Sequence, residues 1–107
     1  MPSPLSPLID ALMADPATAR HLTPTTLAVL VDVAAEEGRS VGDVAENIGR
    51  SRPAVSRAVD ILLERGMVCV EHATDDRRRV HLTLAPAGRD FYARLCAAVG
   101  VPSSPED

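Results

Sequence analysis

The chain has almost no aromatic residues. Among its 107 residues there is no Trp, and Phe91 and Tyr92 are the only Phe and Tyr. A row of stacking rings of the kind that holds single-stranded nucleic acid is therefore not expected, and the core has to be built from Leu, Val, Ile and Ala. Lys is absent as well. All eleven basic residues are Arg, a bias that genome composition explains as readily as function does. Cys is limited to Cys69 and Cys96, too few for a disulfide framework, so a reduced cytoplasmic setting is the simpler expectation. No run of 18 apolar residues occurs, and no transmembrane helix is expected. The opening "MPSPLSPLID" has neither the basic region nor the long apolar stretch of a secretory leader.

The usual catalytic patterns are missing too. No nucleophile–base arrangement, glycine-rich phosphate loop or carboxylate pair stands out, and Asp75-Asp76 reads as loop, so an enzyme is not expected. His21, His72 and His81 match no tight zinc spacing, and neither metal nor cofactor is expected. Cys69 and Cys96 raise the alternative of a redox switch. Cys69 stands in an apolar strand with no adjacent base, and such a thiol is usually an inert small apolar residue. His72 and His81 read as a surface pair facing each other across a hairpin.

Apolar residues make up 46% of the chain and charged residues 24%, which suits one folded domain. The net charge of −4 conceals a division. Residues 50–94 hold nine Arg against six acids, net +3, whereas the remainder is net −7. A basic middle in an acidic chain points to an anionic partner met by one face.

Residues 1–7, with three Pro, read as an extended arm, although Ser6-Pro7 is also a helix start signal. Leu8, Ile9, Leu12 and Met13 then share a face. "ADPATARHL" adds a turn, with Asp15 as its cap. Thr23-Pro24 opens a helix over about 24–37 with Leu27, Leu30, Val31 and Ala34 on one stripe. "RSV" suits a short strand, and residues 42–48 form a brief helix with Val44, Ala45 and Ile48 inward. After Gly49, Ser51 caps a helix over 51–65 whose stripe is Val55, Val59, Leu62 and Leu63, ending at Gly66. "MVCVEH" and "VHLTL" form a hairpin around the charged tip "ATDDRRR". Residues 86–99 return to helix through Phe91, Leu95 and Ala98, and residues 100–107 are a frayed tail. The expected domain is thus 8–99, mainly α with a small β-hairpin. A short helix, a tight turn, a capped second helix and a following hairpin make a winged helix-turn-helix.

The helix over 51–65 begins in an unusual way. Arg52 sits in its first turn and Arg57 five residues on, where the helix dipole disfavours a cation by about 0.3–1 kcal/mol. That placement makes sense if this end meets phosphates and base edges. Ser51, Arg52, Pro53, Ala54, Ser56 and Arg57 are the expected major-groove residues. Arg can read guanine in bidentate fashion, Ala54 suits a thymine methyl, and Ser meets base or phosphate. Arg77, Arg78 and Arg79 at the hairpin tip suit a narrow minor groove, and Asp76 holds that loop in shape. The bland alternatives are a solvated surface with a proline start signal and a solvated charge run. Contact with double-stranded DNA is the reading that joins the two basic sets. The rival class is a winged-helix protein–protein interaction module without DNA binding.

The stretch from "LTPTTLAVLVDVAAEEGRSVGDVAENIGRSRPAVSRAVDILLERGMV" to "DDRRRVHLTLAPAGRDF" resembles the MarR-type winged helix-turn-helix transcriptional regulators, over about residues 22–95. The most specific part is Asp76-Arg77-Arg78 followed by a strand and "LAPAG", where Ala85 stands in place of the family's usual capping Thr. The resemblance implies that residues 51–65 are the recognition helix, that Arg78 enters the minor groove and that Asp76 positions the wing. A cytoplasmic, nucleoid-associated homodimer is expected, with contacts from residues 5–20 and 86–99, whose apolar stripes need cover. The terminal helices expected here are shorter than the family's long dimerisation helices, so a small-molecule effector is a doubtful partner.

Overall fold

A computed structural model of the chain describes residues 5–14, 19–20, 22–72 and 80–102. Among these residues the order of elements is α1 (Ser6–Met13), α2 (Pro24–Ala35), α3 (Val41–Ile48), α4 (Arg52–Glu64), β1 (Val68–His72), β2 (Val80–Leu84) and α5 (Pro86–Val99). The expected architecture, mainly helical with one hairpin, is therefore present.

Three of the helix starts follow from side-chain caps. The hydroxyls of Thr23, Ser40 and Ser51 accept the backbone N–H groups of Thr26, Asp43 and Ala54 at 3.1, 3.1 and 3.3 Å. Each satisfies one of the donors that a helix start leaves without an intrahelical partner. α5 has no such cap, because Ala85 carries no hydroxyl. Its start is fixed by backbone instead: the Ala85 N–H donates to the Met67 carbonyl at 3.0 Å. α1 opens after Leu5 with no side-chain cap, so Ser6 is the first helical residue rather than the cap. The chain is thus already helical inside the expected arm 1–7.

The core gathers around α2, which packs against α3, α4, α5 and β2. Val29, Leu30 and Val33 are completely buried, whereas Val31, expected in the stripe, is 40% exposed, and Leu27 and Ala34 are half-buried. The expected face was rotated because "PTTLAVLVDVAA" is apolar nearly all round. The neighbours choose its face, and periodicity alone does not. In α4 the buried stripe is Val55, Ala58, Val59 and Leu62. Ala58 takes the place that was expected of Leu63, which is 39% exposed. In α1, Leu8 and Leu12 pack on the core, while Ile9 and Met13 turn outward.

β1 and β2 pair antiparallel in the register Val68↔Leu84 through His72↔Val80. Val68, Leu82 and Leu84 face inward and are buried. This corrects two expectations. His81 lies opposite Glu71, and His72 lies opposite Val80, so the two histidines are on different faces of the ribbon rather than paired. Burying Val68, Leu82 and Leu84 fixes this register, since a one-residue slip would turn all three outward. Cys69 stands in β1 between Val68 and Val70, as expected, but falls on the outward face and is exposed, whereas Cys96 is buried. "RSV" forms no strand of its own. Arg39 makes a single bridge to Leu82, with Gly38 N–H donating to the Leu82 carbonyl and Leu82 N–H to the Arg39 carbonyl, both at 2.8 Å.

α2 ends at Ala35, two residues short of the expected 37, and α3 starts at Val41. Asp15 and His21 of the expected extra turn lie outside the described residues, as do residues 1–4 and 103–107 of the expected arm and tail.

Candidate nucleic-acid interface

α3, the turn at Gly49-Arg50 and α4 form the helix-turn-helix, with α4 as its second helix. Val44 and Ala45 of α3 and Val55, Ala58, Val59 and Leu62 of α4 are spent on the core. This leaves the front of α4 exposed at Ser51, Arg52, Pro53, Ser56 and Arg57, with Ala54 half-buried beside them. The first turn of α4 holds no acid. The two arginines flank that front on different sides. Arg57 borders a groove of about 260 Å³ against the start of α2, shared with Thr23, Thr25, Thr26 and Ala54. Arg52 reaches the other way and lies over Gly42 in the first turn of α3. There it borders a cleft of about 420 Å³ with Ser40, Asp43, Val80 and His81.

The start of α3 is a reciprocal capping box: Asp43 N–H donates to Ser40 Oγ, and Ser40 N–H donates back to Asp43 Oδ2 at 3.3 Å. The hydrogen bond from the Ser40 backbone, then that with its side chain, holds the Asp43 carboxyl below its ordinary pKa, with Arg39 and Arg52 adding attraction. Arg39 is itself anchored, donating to Asp32 at 2.7 Å and to Glu36 at 3.0 Å. Its hydrogen bond to Asp32 is the main cause that raises its pKa. No carboxylate among the described residues closes an ion pair on Arg52 or Arg57.

The base of the hairpin is tied to the rest of the fold by Glu37. Its Oε1 accepts the Leu84 backbone N–H at 2.7 Å, and the carboxylate also accepts Arg89 at 2.8 and 3.0 Å. Asp76, Arg77, Arg78 and Arg79, expected at the tip of the wing, lie outside the described residues. The structure therefore brings Ser51, Arg52, Pro53, Ala54, Ser56 and Arg57 to one end of α4. The tip is approached only through the paired ends His72 and Val80.

Sequence reasoning missed three contributors: Gly42 beneath Arg52, Glu37 beneath the hairpin, and Thr25 beside Arg57. The Ser40-Val41-Gly42-Asp43 spacing signals the capping box, but nothing in it announces that a guanidinium will lie on Gly42. Glu37 and Leu84 are 47 positions apart, beyond the reach of local pattern.

The sequence model of the MarR family matches residues 22–80, which span the helix-turn-helix and the first hairpin strand. The chain belongs to the MarR family. In this MarR-family chain, α3 and α4 are the helix-turn-helix and β1–β2 is the wing of a winged helix. Among curated proteins it is similar to an uncharacterised HTH-type transcriptional regulator of Staphylococcus aureus, with 25% identity over 71 residues that cover 66% of this chain and 49% of that protein. The chain spans about half the length of the curated relatives it matches. Among solved structures it is similar to the PcaV transcriptional regulator of Streptomyces coelicolor, solved in complex with its natural ligand. There the identity is 29%, coverage is 75% of this chain and 57% of that one, and the TM-score is 0.67. It shares the fold of a MepR mutant of S. aureus bound to an oligodeoxyribonucleotide, at 20% identity, 74% and 59% coverage and a TM-score of 0.68.

Proposed function

We propose that this chain is a sequence-specific, double-stranded DNA-binding transcriptional regulator, with the front of α4 in the major groove and residues 73–79 at the adjacent minor groove. The observation that carries the reading is the exposed front of α4. It is a capped helix start, free of acids and flanked by Arg52 and Arg57, on a helix whose other face is consumed by the core. Backbone N–H groups, dipole and guanidinium groups favour the same anion there. Membership of the MarR family, and the basic balance of residues 50–94, support the same partner.

The regulator acts as a homodimer in this reading. Leu5, just before α1, and Ile9 and Met13 within it recur every fourth residue and are 60%, 52% and 60% exposed; Val99 at the end of α5 and Val101 just beyond it are 53% and 51% exposed. α1 packs against α5. A second copy of the chain covers these apolar residues, and the two recognition helices then meet half-sites about one turn of DNA apart. The test of the DNA reading is retention on a DNA column at low salt and release as salt is raised. Passage through that column unretained would favour a protein-binding winged helix instead.

A further inference from the structure

We propose that Arg52 holds a phosphate of the DNA backbone rather than a base edge, and that Gly42 is the positioning residue that sends it there. This rests on the DNA-binding reading above and assigns a role within that site.

The argument begins with close packing. A Cβ built on Gly42 would stand 2.7 Å from Nη2, 3.0 Å from Cζ and 3.3 Å from Nε of Arg52. The guanidinium therefore lies against the backbone of the first turn of α3, in space that any side chain at position 42 would occupy. Arg52 is thereby directed sideways from the start of α4. The end of its side chain is thus committed to the start of α3 rather than reaching straight out beyond the front of α4.

Its direction matters because of what lies there. The cleft that Arg52 borders is also lined by Val80 and His81 at the start of β2. The Arg52 side chain thus lies on the side of the recognition helix that faces the wing. Adjacent major and minor grooves of a duplex are separated by one sugar–phosphate strand. A protein that places α4 in one groove and the hairpin tip in the next must straddle that strand, and a cation held between the two elements faces phosphate. Asp43, the acid that shares this cleft, is engaged with Ser40 in the capping box and attracts Arg52 only at longer range, and no carboxylate among the described residues closes an ion pair on Arg52. A phosphate contact carries no sequence information and a bidentate base contact does, so the two roles of Arg52 are separable by experiment.

Binding is measured by fluorescence anisotropy across a salt series. Two probes are used: a random-sequence duplex, and a duplex selected from a random pool by the wild-type chain. Arg52→Ala is expected to lower affinity for both duplexes by the same factor and to make the slope of log K against log salt shallower by about 0.9, one phosphate's worth. Arg52→Lys is expected to keep the slope, because a point charge still serves a phosphate where it fails a bidentate base contact. Gly42→Ala is expected to shift the slope as Arg52→Ala does, and the double variant to be no weaker than Arg52→Ala alone. Loss confined to the selected duplex, with an unchanged slope in Arg52→Ala, would overturn the phosphate role. Wild-type binding by a folded Gly42→Ala would overturn the positioning role. Arg52→Ala, at an exposed residue, decides the first point even if Gly42→Ala fails to fold. Absence of binding by the wild-type chain to either duplex would instead refute the DNA reading itself.

Discussion

Gly88 of α5 rests directly on the Met67 carbonyl at the end of the turn that follows α4. A Cβ at position 88 would overlap that oxygen and lie 2.9 Å from the carbonyl carbon. The same carbonyl accepts the Ala85 N–H at 3.0 Å, so the contact fixes the angle at which α5 leaves the hairpin. Gly88→Ala is expected to destabilise the fold by at least about 1–3 kcal/mol, the range for forcing extra volume into a packed site, because the obstacle is backbone and cannot swing aside. Urea denaturation followed by circular dichroism checks this; an unchanged midpoint would contradict it.

Glu37 makes a second such tie. Glu37→Ala removes the acceptor of the Leu84 N–H and is expected to cost roughly 1 kcal/mol, the usual scale for a lost hydrogen bond. Glu37→Gln keeps an oxygen for Leu84 and loses only the ion pair to Arg89, which is 59% exposed and worth about 0–1 kcal/mol. Hydrogen exchange at the Leu84 amide reads the difference: fast in Glu37→Ala, near wild type in Glu37→Gln. Equal exchange in both would refute the tie.

The capping box makes a pH-dependent contribution of known sign. The pKa of Asp43 is lowered in the folded chain, chiefly by the Ser40 backbone N–H and then by the Ser40 side chain. Its stabilising effect is therefore full above the unfolded value and is lost as pH falls through the lower folded one. NMR titration of the Asp43 carboxyl should give a midpoint below the ordinary aspartate value of about 3.9. Ser40→Ala should move that midpoint upward. A midpoint unmoved by the substitution would show that the Ser40 side chain does not help to set it.

The apolar residues of α1 make a separate prediction. Ile9→Glu places a charge on a residue that is 52% exposed and outside the core, so the fold should persist. Sedimentation should then report a dimer for the wild-type chain and a monomer for the variant. A wild-type monomer would remove the second copy as the occupant of this surface.

Much of this architecture was legible in the residues. Thr23-Pro24 and Ser51 with Pro53 mark helix starts because a hydroxyl and a proline each suit one position of a first turn. The β-rich runs on either side of "ATDDRRR" mark the hairpin. What was not legible depends on partners distant in sequence. The face of α2 was misjudged at Val31 because its composition is nearly uniform around the helix. The histidines were misplaced by one position because register is set by the burial of Val68, Leu82 and Leu84. At the candidate interface, the residue types of α4 were visible, but the direction of Arg52 depends on the missing side chain of Gly42.

The central claim is that the front of α4 and the wing grip one duplex together. It is tested most directly by the salt dependence of binding to a random-sequence duplex for the wild-type chain and for Arg78→Ala. The account predicts steeply salt-dependent binding by the wild type. Arg78→Ala should bind more weakly to every sequence, with a slope shallower by about 0.9. An Arg78→Ala variant with the affinity and slope of the wild type would contradict it.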